Sequence, residues 1–301
     1  MFGVYFGKYL EQQGVLTEKQ YMDIIEKNRN KRVKLGLIAV NLGFMTDAQA
    51  AEVNELQKAT DARFGDIAIE KGYLTETQVG ELLAKQGDSY LLFVQALTEG
   101  GYLTMAEIRQ KLTEFKIEYG YKPSDMEALL SSDTDRILDI FIRDVSPDET
   151  DKNYLRLIIR NIVRFVDNRV RLDKAYRSDH IDTEDVAVQR IEGDVELFCS
   201  LAGEGNKVIG EGFGQEEFES LDEDCLDACC EFLNVTNGLF ARHLSSEGDE
   251  TEMLPPEMHP GRTELSGAQG FIVLPMYVRG VKSDLIISTD TKANIRSGGN
   301  Q

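Results

Sequence analysis

Apolar and polar positions recur through the first 116 residues with a period of 29. "GVLTEKQ" begins at Gly14, "GFMTDAQ" at Gly43, "GYLTETQ" at Gly72 and "GYLTMAE" at Gly101. Seven residues upstream stand Gly7, Gly36 and Gly65, after Phe6, Leu35 and Phe64; the fourth copy keeps Phe93 but has Val94 where glycine is due. Each unit predicts a short helix carrying the apolar pair, a glycine that ends it in left-handed geometry, and a threonine that caps a second helix. Thr17 to Gln20 and Thr75 to Gln78 have the capping-box spacing. Such units bury their apolar faces only by stacking, so residues 1–116 are expected to form an all-helical repeat module.

Gly120 and Pro123 in "EYGYKPSD" break the pattern, acidic helical material follows, then Pro147 in "VSPDETD" breaks it again, and residues 117–150 read as a connecting segment. From Tyr154 onward Leu155, Ile158, Ile159, Ile162, Phe165, Val166 and Val170 recur at helical spacing, which predicts one amphipathic helix to about Lys174. Arg156, Arg160 and Arg164 lie one turn apart on its other face, as a solvated basic stripe or an orienting contact for an acidic partner. "DVAVQRIE", "VELFCSL" and "KVIGEGF", with turn signals between them, predict an antiparallel meander of three strands. A helix is expected from Ser220, where "SLDE" has capping-box spacing, to about Leu244. After an acidic loop holding Pro255 and Pro256, "FIVLPMYV" and "SDLIIST" predict two more strands joined through Arg279-Gly280. Residues 291–301 show no periodicity and are expected to be a disordered tail. The fold class is therefore α+β, with residues 151–290 forming an antiparallel sheet covered by helices.

Charge narrows the partners. The 301 residues carry 33 basic and 53 acidic side chains, a net −20, and that field repels nucleic acid and anionic lipid. Neither nucleic acid nor membrane is an expected partner; a basic or metal-loaded protein surface fits better. No apolar run approaches the roughly 20 residues that span a bilayer, and "MFGVYFGKYLEQQ" turns charged too early for a secretory signal, so the expected location is the cytoplasm. Cys225, Cys229 and Cys230 crowd one helix and Cys199 lies apart, with no disulfide framework or zinc spacing. They read as buried free thiols. His180, His243 and His259 have no partner spacing, and no metal site is expected.

The helix in "DACCEFLNVTNGLF" carries the candidate chemistry. At about 100° per residue, Leu226, Cys230, Leu233, Phe240 and Leu244 fall on one face that must meet the sheet. Asp227, Glu231, Asn234 and Gly238 line a second stripe about 110° away, which leaves the glutamate and asparagine accessible. Asn237 falls near the apolar centre and is expected to hydrogen-bond inside the fold. Gly238 costs about 1 kcal/mol relative to alanine in a helix; it serves either a close approach from outside or close helix packing.

An E-x-x-N with a small residue downstream, after three strands and before two more, resembles the CheC/CheX/FliY chemotaxis phosphatases, specifically the single-motif CheX type. The likeness covers about residues 151–290. That family's helix reads acidic or Ser, then E-x-x-N, then Gly or Asn, as Asp227, Glu231, Asn234, Asn237 and Gly238 do here. The resemblance implies a phosphoaspartyl protein phosphatase acting on the receiver domain of a response regulator in two-component signalling. An aspartyl phosphate is a mixed anhydride whose hydrolysis needs an in-line water and neutralised phosphoryl charge. By this likeness Asn234 holds the water, a role suited to a neutral group with both donor and acceptor. Glu231 pairs with a lysine of the receiver. Asp227 assists docking or favours the helix dipole. The receiver supplies Mg²⁺, so no cofactor is expected in this chain. The alternative is a non-catalytic signalling adaptor that binds receivers or cyclic di-GMP; a homodimer is left open.

The second and third repeats carry another likeness. Lys34 to Gln57 and Arg63 to Gln86 place a basic residue, two glycines and a glutamine in matching positions: Lys34 and Arg63, Gly36 and Gly65, Gly43 and Gly72, Gln57 and Gln86. This resembles the MshEN-type motif of secretion and pilus ATPases, some of which bind cyclic di-GMP. The likeness implies Arg63 stacking on a guanine and nearby backbone NH groups meeting phosphate. The other reading makes these glycines caps, the Leu, Ile and Phe residues core, and the repeats a protein-docking module with a regulatory or targeting role.

Overall fold

A computed structural model describes residues 1–28, 31–60 and 62–298. It divides into two compact units, one spanning Phe2–Ser132 and the other beginning at Asp133.

Nine helices build the described part of the first unit: α1 (Phe2–Gln12), α2 (Glu18–Asn28), α3 (Leu35–Asn41), α4 (Asp47–Thr60), α5 (Phe64–Glu70), α6 (Glu76–Ala84), α7 (Ser89–Glu99), α8 (Met105–Glu118) and α9 (Pro123–Ser131). Each repeat is a helix pair turned by a glycine with φ between +68° and +73°, namely Gly14, Gly43, Gly72 and Gly101, a conformation that costs glycine no Cβ clash. Thr17, Thr46, Thr75 and Thr104 accept from the amides of Gln20, Gln49, Gln78 and Glu107, whose side chains accept from the threonine amides in return. All four repeats thus carry the reciprocal box. The upstream glycines serve packing: a Cβ on Gly7 would lie 2.7 Å from Tyr21, and one on Gly65 would lie 2.9 Å from Val79.

The repeats do not stack in file. The second and third share one core, including Ile38, Val53, Phe64, Ile67 and Leu82, with α3 against α6 and α4 against α5. The first closes on the fourth, α1 packing on α7 and α8. There Phe6 and Tyr9 meet Phe93 and Phe115 at centroid distances of 5.3 to 6.4 Å, a range in which edge-to-face rings attract.

Residues 117–150 are largely helical, as expected of the material between the two breaks. Their first part, α9, belongs to the first unit; α10 (Thr134–Ile142) and a 3₁₀ turn at Arg143–Val145 belong to the second. Pro123 sits at the first position of α9, where its fixed φ suits a helix start. Proline there marks a beginning rather than a break.

In the second unit α11 (Glu149–Asn161) buries Tyr154, Leu155, Ile158 and Ile159. The helix predicted to reach Lys174 instead ends in a π turn at Ile162–Val166, followed by β1 (Val170–Leu172). Three interactions stop it. Asn161 donates to Thr236 Oγ1 at 3.1 Å, Asp167 is held by Arg169 and Arg279, and β1 pairs with Met276–Val278. The arginine stripe finds an acidic partner within its own chain, with Arg156 2.9 Å from Asp139 and Arg160 3.6 Å from Asp135 on α10.

The sheet comprises β1, β2 (Tyr176–Gly193), β3 (Leu197–Ala202), β4 (Thr251–Met253), β5 (Glu257–Val278), β6 (Val281–Ser288) and β7 (Asn294–Ser297). All pairings among the described residues are antiparallel, in the order β1-β5-β6-β3-β2-β4 with β7 on β5. The long strands β2 and β5 also pair with each other from Tyr176↔Val273 to Val188↔Glu257, closing the β5-β6-β3-β2 path on itself. Val186, Val188, Phe198, Phe271, Val273 and Ile286 fill the enclosed face. By strand alternation the residues between them face α12 (Gly205–Gly214) and α13 (Glu223–Glu247).

Two further expectations are corrected here. "KVIGEGF" is α12 rather than a third strand, and its glycines explain why: a Cβ on Gly210 would lie 2.8 Å from the Cys225 carbonyl oxygen of α13. The segment from 291 is ordered as β7 through Ser297; its last three residues, 299–301, lie outside the described ones. Gly210→Val is expected to lower stability by about 3 kcal/mol through overpacking at α12–α13. A fall in the urea midpoint at unchanged slope would register it; an unchanged midpoint would mean the helices part easily.

Candidate functional site

Asp222, not Ser220, caps α13 by accepting from the Cys225 amide at 3.1 Å. Ser220 instead donates to the Asp222 carboxylate at 3.0 Å. With the start so fixed, Leu226, Cys230, Leu233, Phe240 and Leu244 are buried, and Asp227, Glu231 and Asn234 are exposed on the other side. Gly238 is half-buried. A Cβ there would meet nothing closer than Met253 Cε at 3.9 Å, so packing within the chain does not require glycine. The first turn already holds Glu223 and Asp224, which places Asp227 one turn beyond the strongest helix-dipole position.

The Glu231 carboxylate makes no ion pair among the described residues. Beside Asn234, Val235 and Leu239 stand one turn apart at 45% and 41% exposure, giving the stripe an apolar margin that its polar residues did not announce.

Asn234 is tied to the interior. Its Oδ1 accepts from Gln189 Nε2 of β2 at 2.9 Å, and the same nitrogen donates to the Leu254 carbonyl at 2.9 Å. Gln189 Oε1 accepts from Asn237 Nδ2 at 2.8 Å, and Asn237 Oδ1 accepts from the Tyr154 hydroxyl at 2.7 Å. That hydroxyl lies 2.6 Å from Cys199 Sγ. Asn237 is wholly buried, as its place near the apolar centre predicts. Burial pushes the Cys199 thiol up to about 12 and holds the Tyr154 phenol well above its ordinary value, so the chain of hydrogen bonds is neutral at physiological pH. Sequence reasoning missed Gln189. Its one signal was a polar side chain at a position of "DVAVQRIE" where strand alternation points inward.

The four cysteines are free and buried. Among the described residues His180, Asp182 and Glu264 bring ligand-type atoms within 4.8 Å of one another. They converge because Asp182 pairs with Glu264 across β2 and β5, a proximity that linear spacing does not reveal. Asp182 and His180 are exposed and Arg262 Nη2 lies 3.9 Å from Asp182, so a cation of the chain itself already stands near the carboxylates.

In the first unit Lys34 and Arg63 occupy N-cap positions of α3 and α5 without side-chain caps. Lys34 Nζ is paired with Glu99 at 2.6 Å and its amide donates to Gln95 at 2.7 Å. Gln86 Nε2 donates to the Val33 carbonyl at 3.1 Å. Gln57 and Arg63 are exposed, Gly36 and Gly65 are buried against side chains, and Gly43 and Gly72 are the left-handed turns. These residues hold their own fold together at several of the matched positions. No helix among the described residues is long and apolar enough to cross a membrane.

No family model matches the chain, and no curated protein does. Solved structures similar to its second half include the chemotaxis protein CheX from Desulfovibrio desulfuricans, at 15% identity and a TM-score of 0.40, covering 47% of this chain and 99% of that one. CheX from Vibrio vulnificus is similar at 16% identity and 0.39, covering 46% and 98%. A CheX–CheY–BeF₃–Mg²⁺ complex from Borrelia burgdorferi is similar at 13% identity and 0.39, covering 50% and 99%.

Proposed function

We propose that the second unit hydrolyses the aspartyl phosphate of a response-regulator receiver domain, with the helical repeats as a regulatory or targeting module. The observation that carries this reading is the outward presentation of Glu231 and Asn234, one turn apart, from a helix whose opposite face is fully buried. Two such groups on a convex helix cannot enclose a small substrate, but they can enter a phosphorylated pocket on another protein. Gly238 leaves room beside them, and Val235 and Leu239 offer apolar contact at the rim.

In this reading the receiver contributes its phosphoaspartate and the Mg²⁺ that neutralises phosphoryl charge. This chain contributes position. Glu231, with its carboxylate unpaired among the described residues, docks against a receiver lysine, and Asn234 orients the attacking water. Water adds to phosphorus as the bond to the aspartyl oxygen breaks. The bonding electrons stay on the carboxylate, and the products are aspartate and dihydrogen phosphate.

The test is phosphate release from a panel of phosphorylated receivers with and without the full-length protein. At least one receiver is expected to lose phosphate faster. Glu231→Ala should raise the half-saturating receiver concentration about tenfold, more at low salt than at high, as an interfacial charge does. No acceleration of any receiver would refute the reading; acceleration that ignores Glu231 would refute its docking role.

A further inference from the structure

An exposed asparagine ordinarily samples both orientations of its carboxamide, presenting oxygen or nitrogen to whatever approaches. Asn234 is exposed but not free to do so, because the buried amides behind it are polarised in one direction. The Leu254 carbonyl can only accept, so the Gln189 atom 2.9 Å from it must be the amide nitrogen. Gln189 Oε1 therefore faces Asn237 and meets Nδ2 at 2.8 Å, which leaves Asn237 Oδ1 to accept from Tyr154. The second hydrogen on Gln189 Nε2 points to Asn234, and the atom that meets it at 2.9 Å must be an acceptor, Oδ1. Turning the Asn234 carboxamide over would set two N–H donors against each other.

Gln189 is 1% exposed and lies on β2 opposite Cys199 of β3, just past the last pair with β5, Val188↔Glu257, and before the first with β4, Ile191↔Met253, so its own amide has nowhere to turn. We propose that Gln189 is the positioning residue of the site: it clamps Asn234 Oδ1 inward and presents Nδ2 outward. Asn234 then meets the attacking water as a hydrogen-bond donor at Nδ2, which occupies one lone pair of the water and directs the other at phosphorus. Oδ1 keeps one lone pair for a proton of that water or of the receiver backbone. This assignment rests on the phosphatase reading above, and it adds a residue 45 positions upstream that touches neither substrate nor partner.

Side-chain amide hydrogen exchange by NMR on the full-length protein tests the clamp without any turnover. Both Gln189 Nε2 hydrogens are expected to be protected, and the Asn234 Nδ2 hydrogens to exchange freely. Gln189→Met keeps length and burial but removes the donor. It is expected to lower the maximal rate of phosphate release about 30-fold while leaving the half-saturating receiver concentration within twofold. A merely structural role would move both or neither. Free exchange at Gln189, or a Met variant with its maximal rate intact, would overturn the proposal even if the wild-type protein is an active phosphatase. If Gln189→Met does not fold, the wild-type exchange pattern alone decides. A protected Gln189 in a protein that accelerates no receiver would sink the phosphatase reading, and the positioning role with it.

Discussion

Asn234→Ala is expected to cut the acceleration of phosphate release from a phosphorylated receiver by about 100-fold, the scale on which a misplaced reactant costs rate. The substitution is on an exposed face, where folding stability ordinarily changes by no more than about 0.5 kcal/mol. One hydrogen of Gln189 Nε2 keeps the Leu254 carbonyl as its partner, and the other, which loses Asn234 Oδ1, faces the exposed side of the helix where water can replace it. Loss of activity in a variant with unchanged urea midpoint would therefore report the missing carboxamide and not a damaged helix. Asn234→Asp sharpens the result. Its carboxylate still accepts from Gln189, but it offers no donor and adds negative charge beside the phosphoryl group, so it should fail as fully as alanine does. An aspartate variant with full activity would show that only an acceptor is needed and would reverse the proposed polarity. An alanine variant with full activity would remove Asn234 from the reaction.

What the sequence reveals and hides here follows from the range of the interactions involved. The two faces of α13 were legible because 25 residues of one helix repeat the same 3.6-residue angle many times, and the four glycine turns because one local geometry recurs at fixed spacing. Alpha-12 was hidden. "KVIGEGF" looks like a strand by its adjacent Val and Ile, and only the approach of Gly210 to the Cys225 carbonyl, 2.8 Å from where a Cβ would be, shows that the glycines thin a helix for packing. The overrun of α11 has the same origin. Ile162, Phe165, Val166 and Val170 continue the helical period, but Asp167 meets Arg279, 112 residues away, and turns the chain into β1. Gln189 illustrates the limit within the site. Its partners Asn234 and Leu254 lie 45 and 65 residues on, so nothing near it in the chain marks it as the support of the outward-facing asparagine.

That same Asp167 supports a large stability effect that depends on pH. Its side chain is 1% exposed and accepts from Arg169 Nε at 2.8 Å and Nη2 at 2.7 Å, and from Arg279 Nε at 2.7 Å. Burial pushes its carboxyl up, but the hydrogen bonds from Arg169 and Arg279 outweigh that and hold it well below the usual carboxylate range. The cluster joins the end of the π turn to the β5–β6 hairpin, where Arg279 has φ +52°, a conformation that costs a side chain energy and is kept here by its carboxylate partner. Asp167→Ala leaves two guanidinium groups without that carboxylate and is expected to cost about 3 kcal/mol at pH 7, the lower end for breaking a buried ion pair because Arg279 is partly exposed. The effect has a definite pH dependence. The carboxyl titrates near 4 when unfolded and lower when folded, so below about pH 5 the unfolded chain binds the extra proton and the contribution of Asp167 shrinks as pH falls. Urea midpoints of the wild type and Asp167→Ala should therefore lie far apart at pH 7 and draw together toward pH 3. A gap that stayed constant, or widened in acid, would mean that Asp167 stabilises the hairpin through shape and not through its charge.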